Sequence, residues 1–138
     1  MKPATNAPLG KDVIGLAGLF LTSGTMHFVK PEPFEAMVPK QLPSRRALVY
    51  ASGAVEIACA VGLFVPSTRR VAGIVSAVLL VAVFPANVTM TSQARRRLDR
   101  DPDDHKRQRY LAATVARLPL QWPMIRTALR AGGVMRPA

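Results

Sequence analysis

The sequence predicts an all-α fold, a polytopic membrane protein built as a bundle of four transmembrane helices. The first supporting observation is composition: 49% of the 138 residues are hydrophobic, yet the formal net charge is +11. The second is that the charged residues come in blocks, which are separated by long uncharged runs. The third is that these runs approach the ~20 residues that a helix needs to cross a hydrocarbon core.

The uncharged runs define three spans. No Lys, Arg, Asp or Glu occurs in the 17 residues 13–29 or in the 24 residues 71–94, and Glu56 is the one charge between residues 47 and 68. We therefore predict helices over about 12–30, 47–66 and 70–92. A soluble four-helix bundle is the alternative, and the lack of a polar face on residues 71–90 argues against it.

A weaker fourth span is predicted over about 108–130, and it completes a single domain over residues 1–138. This segment contains Arg117, Gln121 and Arg126 together with two prolines, so it needs the other spans as packing partners. We expect Arg117 to face inward and Arg126 to lie near a membrane surface. Residues 1–11 and 131–138 are predicted to be short tails.

The connectors carry most of the charge. The run RRRLDRDPDDHKRQR at 95–109 is predicted to be a solvated connector whose arginines could also contact anionic lipid headgroups. Its four acids and the lack of interleaved aromatics argue against nucleic-acid binding. Loops 1 and 3 with their flanks carry eleven Lys and Arg, against seven on the other side. The positive-inside rule therefore places loops 1 and 3 on the cytoplasmic side of the cell inner membrane.

Each predicted span carries one costly polar residue, and all four fall in the same half of the bilayer. His27 and Asn87 lie about one turn from the loop-1 side, while Glu56 and Arg117 lie roughly 13 Å in. Gln121, one turn beyond Arg117, could join them. This pattern predicts a polar pocket that opens toward loops 1 and 3 and in which these five residues bind a ligand.

The charges within this cluster predict a salt bridge between Glu56 and Arg117, because pairing would offset the cost of burying either one alone. Three interpretations of the cluster stay open. It could be a ligand pocket, it could lock the four helices into register, or it could relay protons.

The loop GTMHFVKPEPFEAMVPKQLP, residues 24–43, is too apolar for a free linker. Its prolines stop the first helix and stiffen the loop. We predict an interfacial Pro-rich loop that folds back as a lid, with Phe34, Met37 and Val38 covering the pocket. The alternative is an amphipathic connector that rests on the lipid headgroups.

Motifs for catalysis are missing from the sequence. There is no HExxH motif, no Gly-rich phosphate loop and no nucleophile motif, and Cys59 is the single cysteine. Two isolated histidines make a metal site unexpected. We therefore expect no metal and no evident cofactor, and we leave open whether the protein is an enzyme.

Four stretches together carry a resemblance to a known family: residues 24–43, the segment LVYASGAVEIACAVGLFVPSTRRVAG at 48–73, FPANVTM at 84–90 and RLPLQWPMI at 117–125. The chain resembles the DoxX-like family of small bacterial integral membrane proteins, over about residues 15–129. The resemblance implies a four-helix membrane bundle. It also implies that His27, Glu56, Asn87 and Arg117 occupy the recurring polar positions of that family.

The family name traces to a subunit of a thiosulfate:quinone oxidoreductase, and some relatives are tied to thiol-redox systems. The resemblance and the polar cluster lead us to expect a pocket for a quinone or a lipid, in the membrane subunit of a redox system. A non-enzymatic assembly or scaffold protein is the alternative, and proton-coupled transport is a weaker one. The expected partners are membrane lipids, a membrane or redox protein and further copies of the chain, with no nucleic acid.

Overall fold

The computed structural model of the chain describes residues 9–136, which contain five α-helices and no β-strand. The predicted all-α class is therefore confirmed. Residues 1–8 of the predicted N-terminal tail and residues 137–138 lie outside the described part. The helices are α1 (Lys11–Val29), α2 (Glu32–Glu35), α3 (Arg45–Phe64), α4 (Arg69–Arg100) and α5 (His105–Ala131).

Three of these helices, α1, α3 and α4, are long and apolar enough to cross a membrane. Their outward faces fit a lipid environment, because large apolar side chains lie exposed on them. Val71 and Val78 on α4 are 65% and 63% exposed, and Leu19 on α1 is 55% exposed. Within the described residues α5 is long enough to cross a membrane but not apolar enough, and the prediction that it forms a fourth span stays a prediction.

Prolines determine where three of the long helices end. The residues that follow α1, α3 and α4 are Lys30, Val65 and Asp101, and each of them immediately precedes a proline. All three have non-helical backbone angles, with ψ of 77°, 116° and 78°. The ring of a proline disfavours the helical conformation of the residue before it, and this explains why the three helices end where they do.

The predicted connector over residues 95–109 is wrong in extent. α4 continues eight residues past the predicted end at 92, and α5 begins at His105, so only residues 101–104 are non-helical. The charged run stays helical because it holds good helix formers and no Gly or Pro before Pro102. The side chain of Asp104 then caps α5, accepting hydrogen bonds from the backbone N–H groups of Lys106 and Arg107 at 2.9 and 3.2 Å.

The four long helices pack as neighbours in a ring. α1 packs mainly on α3, α3 also on α4, α4 mainly on α5, and α5 in turn on α1 through a smaller contact. α3 and α5 therefore lie diagonally opposite each other. The core between the helices consists of small and apolar side chains. Its fully or nearly fully buried members include Leu16, Ala17, Phe20, Cys59, Ala60, Leu63, Ala72, Ala77, Leu80 and Ala128.

Glycines allow the closest helix approaches. A Cβ added at Gly24 on α1 would lie 2.8 Å from the carbonyl oxygen of Gly53 on α3, and one added at Gly53 would lie 2.7 Å from the Cβ of His27. At the opposite end of the bundle, a Cβ on Gly73 of α4 would lie 2.7 Å from the carbonyl oxygen of Ala128 on α5. Side chains at these positions would separate the helix pairs.

The segment between α1 and α3 is tied to both neighbouring helices. Glu35 of α2 pairs with Arg46 at the start of α3, with an Oε1–Nε distance of 2.5 Å. Gln93 of α4 donates a hydrogen bond from Nε2 to the backbone oxygen of Ala36 at 2.9 Å. These two contacts hold residues 32–36 against the ends of α3 and α4.

Candidate functional site

The structure brings the five predicted polar residues to one half of the bundle. His27, Glu56, Asn87 and Gln121 are buried there, with 3–8% of their surface exposed. Arg117 is exposed, yet it lines the same cavities as Glu56 and Asn87. The predicted grouping of these side chains is thus present in the fold, while their role in binding a ligand stays a prediction.

Two adjoining cavities of about 270 and 410 Å³ lie among these residues. Together they are within the size range of small-molecule sites in proteins. The smaller cavity lies under the α1–α3 segment, and the larger one lies between α1, α4 and α5. Side chains that line both cavities form their common wall: Ser23, Phe34, Glu56, Val83, Asn87 and Arg117.

Glu56 lies beside His27 and forms no ion pair with Arg117, so the predicted Glu56–Arg117 salt bridge is wrong. The distance from His27 Nδ1 to Glu56 Oε2 is 3.5 Å, and Ser23 Oγ donates to Glu56 Oε1 at 3.4 Å. Arg117 makes no ion pair within 4 Å to any described residue, although it lines the same two cavities as Glu56. Both residues line the two cavities, but the order of the helices around the bundle keeps them apart.

The reason for this pairing lies in the neighbour relations of the helices. α1 and α3 approach closely at Gly24 and Gly53, which brings His27 on α1 next to Glu56 on α3. α5 is diagonal to α3, so Arg117 reaches the cavity from the far side. Counting residues along a span predicts depth, but it carries no information about which helices are neighbours.

One oxygen of Glu56 is left without a hydrogen bond. His27 Nδ1 lies 2.6 Å from the backbone oxygen of Ser23, and because a carbonyl oxygen only accepts, Nδ1 carries the hydrogen and donates it there. This hydrogen cannot also serve Glu56 at 3.5 Å. Glu56 Oε2 is buried and has no hydrogen-bond partner among the described residues. A buried carboxylate oxygen without a donor is uncommon and marks a place where a polar group of another molecule would be stabilised.

Asn87 and Gln121 form the second polar unit of the site. Asn87 Nδ2 donates to Gln121 Oε1 at 2.9 Å, and Gln121 Nε2 donates to the backbone oxygen of Leu80. This network links α4 to α5, and Gln121 joins the site as the sequence predicted. Both side chains line the larger cavity, Asn87 on the neighbouring helix α4 and Gln121 on α5, which lies diagonally opposite Glu56.

The predicted lid residues lie at the cavities. Phe34 of α2 stacks on the His27 ring, with a centroid distance of 3.9 Å and an interplanar angle of 24°. Met37 and Val38 line the smaller cavity together with Phe34. The apolar residues of the loop therefore cover His27 and face inward, while the interfacial position of the loop and its action as a lid stay predictions.

Several residues of the site were not singled out from the sequence. Ser23 bonds both His27 and Glu56, and it lies one helical turn before His27, a spacing that places two residues on the same face. Leu19, Leu120 and Met124 line the larger cavity and resemble ordinary core residues in sequence. Within residues 9–136, no three His, Cys, Asp or Glu side chains come together as metal ligands would.

Comparison with known families finds one match. The model of a family described as "Domain of unknown function (DUF8561)" matches residues 16–132. Searches of curated proteins and of solved structures find no match to the chain. The matched range includes the whole polar cluster and all residues that line the two cavities.

Proposed function

This chain belongs to the DUF8561 family, and we propose that it is an integral membrane protein whose polar cavity binds a hydrophobic small molecule with a polar head. The proposed ligand is a quinone or a lipid. The protein would act as the membrane subunit of a redox system, as the resemblance to DoxX-like proteins implies. One observation carries the proposal: Glu56 Oε2 is buried at the common wall of the two cavities without a hydrogen-bond donor.

The polar groups at the cavity suit a head that both donates and accepts hydrogen bonds. Glu56 Oε2 needs a donor, and a hydroxyl such as that of a quinol supplies one. On the other side Arg117 has five N–H donors and no ion pair among the described residues, so it suits a carbonyl or an anionic oxygen of the same head. A ligand between the two would bridge groups that the helix order holds apart.

The walls of the larger cavity suit an apolar tail. Its lining between α1 and α5 includes Leu19 and Leu120, which are 55% and 58% exposed on the outer surface of the bundle. The contact between α1 and α5 is also the smallest around the ring. A ligand dissolved in the bilayer could therefore reach the cavity sideways between these helices, with its tail left among lipid chains.

The proposed membrane arrangement has four spans. α1, α3 and α4 are apolar enough to cross by themselves. α5 would cross as their partner, because its polar side chain Gln121 bonds inward to Asn87 and Leu80. The Pro-rich segment between α1 and α3 would lie at the membrane surface, with loops 1 and 3 on the cytoplasmic side of the bacterial inner membrane. Phe34, Met37 and Val38 would then close the cavity from the cytoplasmic side.

Quinone titration of the protein in lipid nanodiscs tests the proposal. We expect a short-chain benzoquinone or its quinol to bind, and Glu56→Gln and Arg117→Gln to weaken binding roughly tenfold or more. Asp12→Asn and Arg126→Gln are matched controls, because these residues carry the same charges and line neither cavity. Native mass spectrometry of the purified protein covers the lipid alternative. If neither quinones nor lipids are retained by the wild type, or if all four variants behave alike, the proposal is wrong.

An assembly or scaffold role is the second candidate. It is favoured by Gly15 and Gly18 on α1, where an added Cβ would meet nothing within 4 Å in the described structure. These glycines leave a flat strip of helix on which another membrane helix could pack. Purification in mild detergent should then return a stoichiometric membrane partner, which Gly18→Leu loses. A protein that purifies alone would count against this role.

A further inference from the structure

A third cavity lies away from the polar cluster, where the end of α4 meets the start of α5. It has a volume of about 640 Å³, and its lining comes from the charged run 95–109 and from the two residues that flank this run. Four of the six side chains around it are basic. The lining residues are Ala94, Arg97, Arg100, Lys106, Arg107 and Tyr110.

The charges around this basic cavity are only partly neutralised. Arg107 is fixed in place, because its Nε lies 3.2 Å from Asp104 Oδ2 and its Nη1 donates to the backbone oxygen of Arg97 at 2.8 Å. In the described part of the chain, Arg97, Arg100 and Lys106 make no ion pair within 4 Å. The other acids of the run do not line the cavity, and Asp99 pairs with Arg95 on the helix surface at 3.8 Å.

Because α4 is continuous, the position of this cavity relative to the membrane follows from the apolar part of α4. The uncharged stretch of α4 ends at Ala94, the first residue of the lining, and the basic side chains begin at once beyond it. A helix of 32 residues is about 48 Å long, which exceeds a hydrocarbon core of about 30 Å. If α4 crosses the membrane through its apolar part, residues 97–107 lie in the headgroup layer.

We propose that the basic cavity binds the phosphate group of an anionic phospholipid. Arginines bind phosphate oxygens through paired N–H groups, and two of them, with Lys106, have no protein carboxylate to neutralise them. Tyr110 adds a hydroxyl donor on an amphipathic ring, which suits the boundary between headgroups and chains. The proposal goes beyond the ligand of the polar cluster, because the two sites share no lining residue.

Native mass spectrometry with added phosphatidylglycerol and phosphatidylcholine tests this site. We expect the wild type to retain phosphatidylglycerol in preference to phosphatidylcholine. The double variant Arg97→Gln/Arg100→Gln should lose about tenfold or more of its phosphatidylglycerol affinity. The double variant Arg96→Gln/Arg109→Gln removes the same charge from exposed arginines of the same run that do not line the cavity, and it should bind like the wild type.

Two results would overturn the proposal. If both double variants lose the same affinity, the lipid responds to the overall positive charge and not to the cavity. If inorganic phosphate displaces phosphatidylglycerol at equal concentration, the site binds free phosphate and not a lipid. All substituted side chains are exposed, so unchanged thermal unfolding of both variants is expected and checks that each is folded.

Discussion

The two ends of the helical bundle differ in how closely the helices pack and in how charged side chains are paired. At the end formed by the start of α1 and the end of α5, which we call the closed end, Gly73 lies against Ala128 and the Asp12 carboxylate pairs with Arg130. At the other end, which we call the open end, cavities of about 270 and 410 Å³ separate the helices, and a Glu56 oxygen has no donor. The same helices form both ends.

This difference separates residues that stabilise the fold from residues that are free to act on a ligand. Close packing gives stability, whereas cavities cost stability and persist where they serve a function. The closed end therefore serves as the clamp of the bundle and the open end as its site. A substitution at the closed end should therefore lower stability more than it lowers ligand binding. A matched substitution at the open end should weaken ligand binding more than it lowers stability.

The largest effect on stability should come from Gly73→Ala at the closed end. The new Cβ would lie 2.7 Å from the backbone oxygen of Ala128 and 2.8 Å from the backbone carbon of Ala131, and backbone atoms cannot rotate away. We expect a loss of about 1–3 kcal/mol in the free energy of unfolding. Thermal unfolding in one detergent measures it.

Gly15→Ala is the control for this prediction. A Cβ at Gly15 meets nothing within 4 Å, so the substitution should be neutral or should stabilise α1 by up to about 1 kcal/mol through its better helix propensity. If Gly73→Ala is as harmless as Gly15→Ala, the closed end is not the clamp of the bundle.

A smaller effect is expected from the hydrogen bond between α4 and α5 at the open end. Asn87→Ala and Gln121→Ala each break the 2.9 Å bond between these side chains, and the free energy of unfolding should fall by about 0.5–2 kcal/mol. A double-mutant cycle isolates the bond, because the double variant should lose less than the sum of the two single variants. Strict additivity would show that the two side chains act independently.

The smallest effect on stability should come from Glu56→Gln, compared with Asp12→Asn. Asp12 is partly exposed and paired with Arg130, so its neutralisation should cost about 0.2–1 kcal/mol. Glu56→Gln keeps the acceptor for Ser23 and removes a carboxylate oxygen that has no donor, so the free energy of unfolding should hardly change. Chemical denaturation of the two variants side by side checks the order.

A loss of stability in Glu56→Gln as large as that in Gly73→Ala would favour a different account. The pair of Glu56 and His27 would then serve to lock α3 and α1 into register, which is one of the interpretations that the sequence left open.

The all-α fold class and the grouping of the polar residues in one half of the bundle could be predicted from the sequence, because both depend on local patterns. Uncharged runs predict apolar helices, and the prolines that follow α1 and α3 predict where these two helices end. The positions of His27, Glu56, Asn87 and Gln121 along their helices predict that they share one half of the bundle. All of these properties can be counted along the chain.

The partners within the site could not be predicted in the same way. Whether Glu56 meets His27 or Arg117 depends on which helices are neighbours, and that is decided by close contacts such as Gly24 with Gly53. The prediction that residues 95–109 form a connector is wrong for a related reason. The composition of this run indicates solvation but does not distinguish a solvated helix from a loop, so the continuation of α4 to Arg100 was missed.

The most direct test of the central claim is an experimental structure of the protein extracted from its membrane with bound molecules retained. We predict density in the two cavities, with a polar head about 2.5–3.2 Å from Glu56 Oε2, Arg117 on its other side and a tail that leaves between α1 and α5. A structure in which α5 has moved so that Arg117 pairs directly with Glu56 and fills the cavities would contradict it.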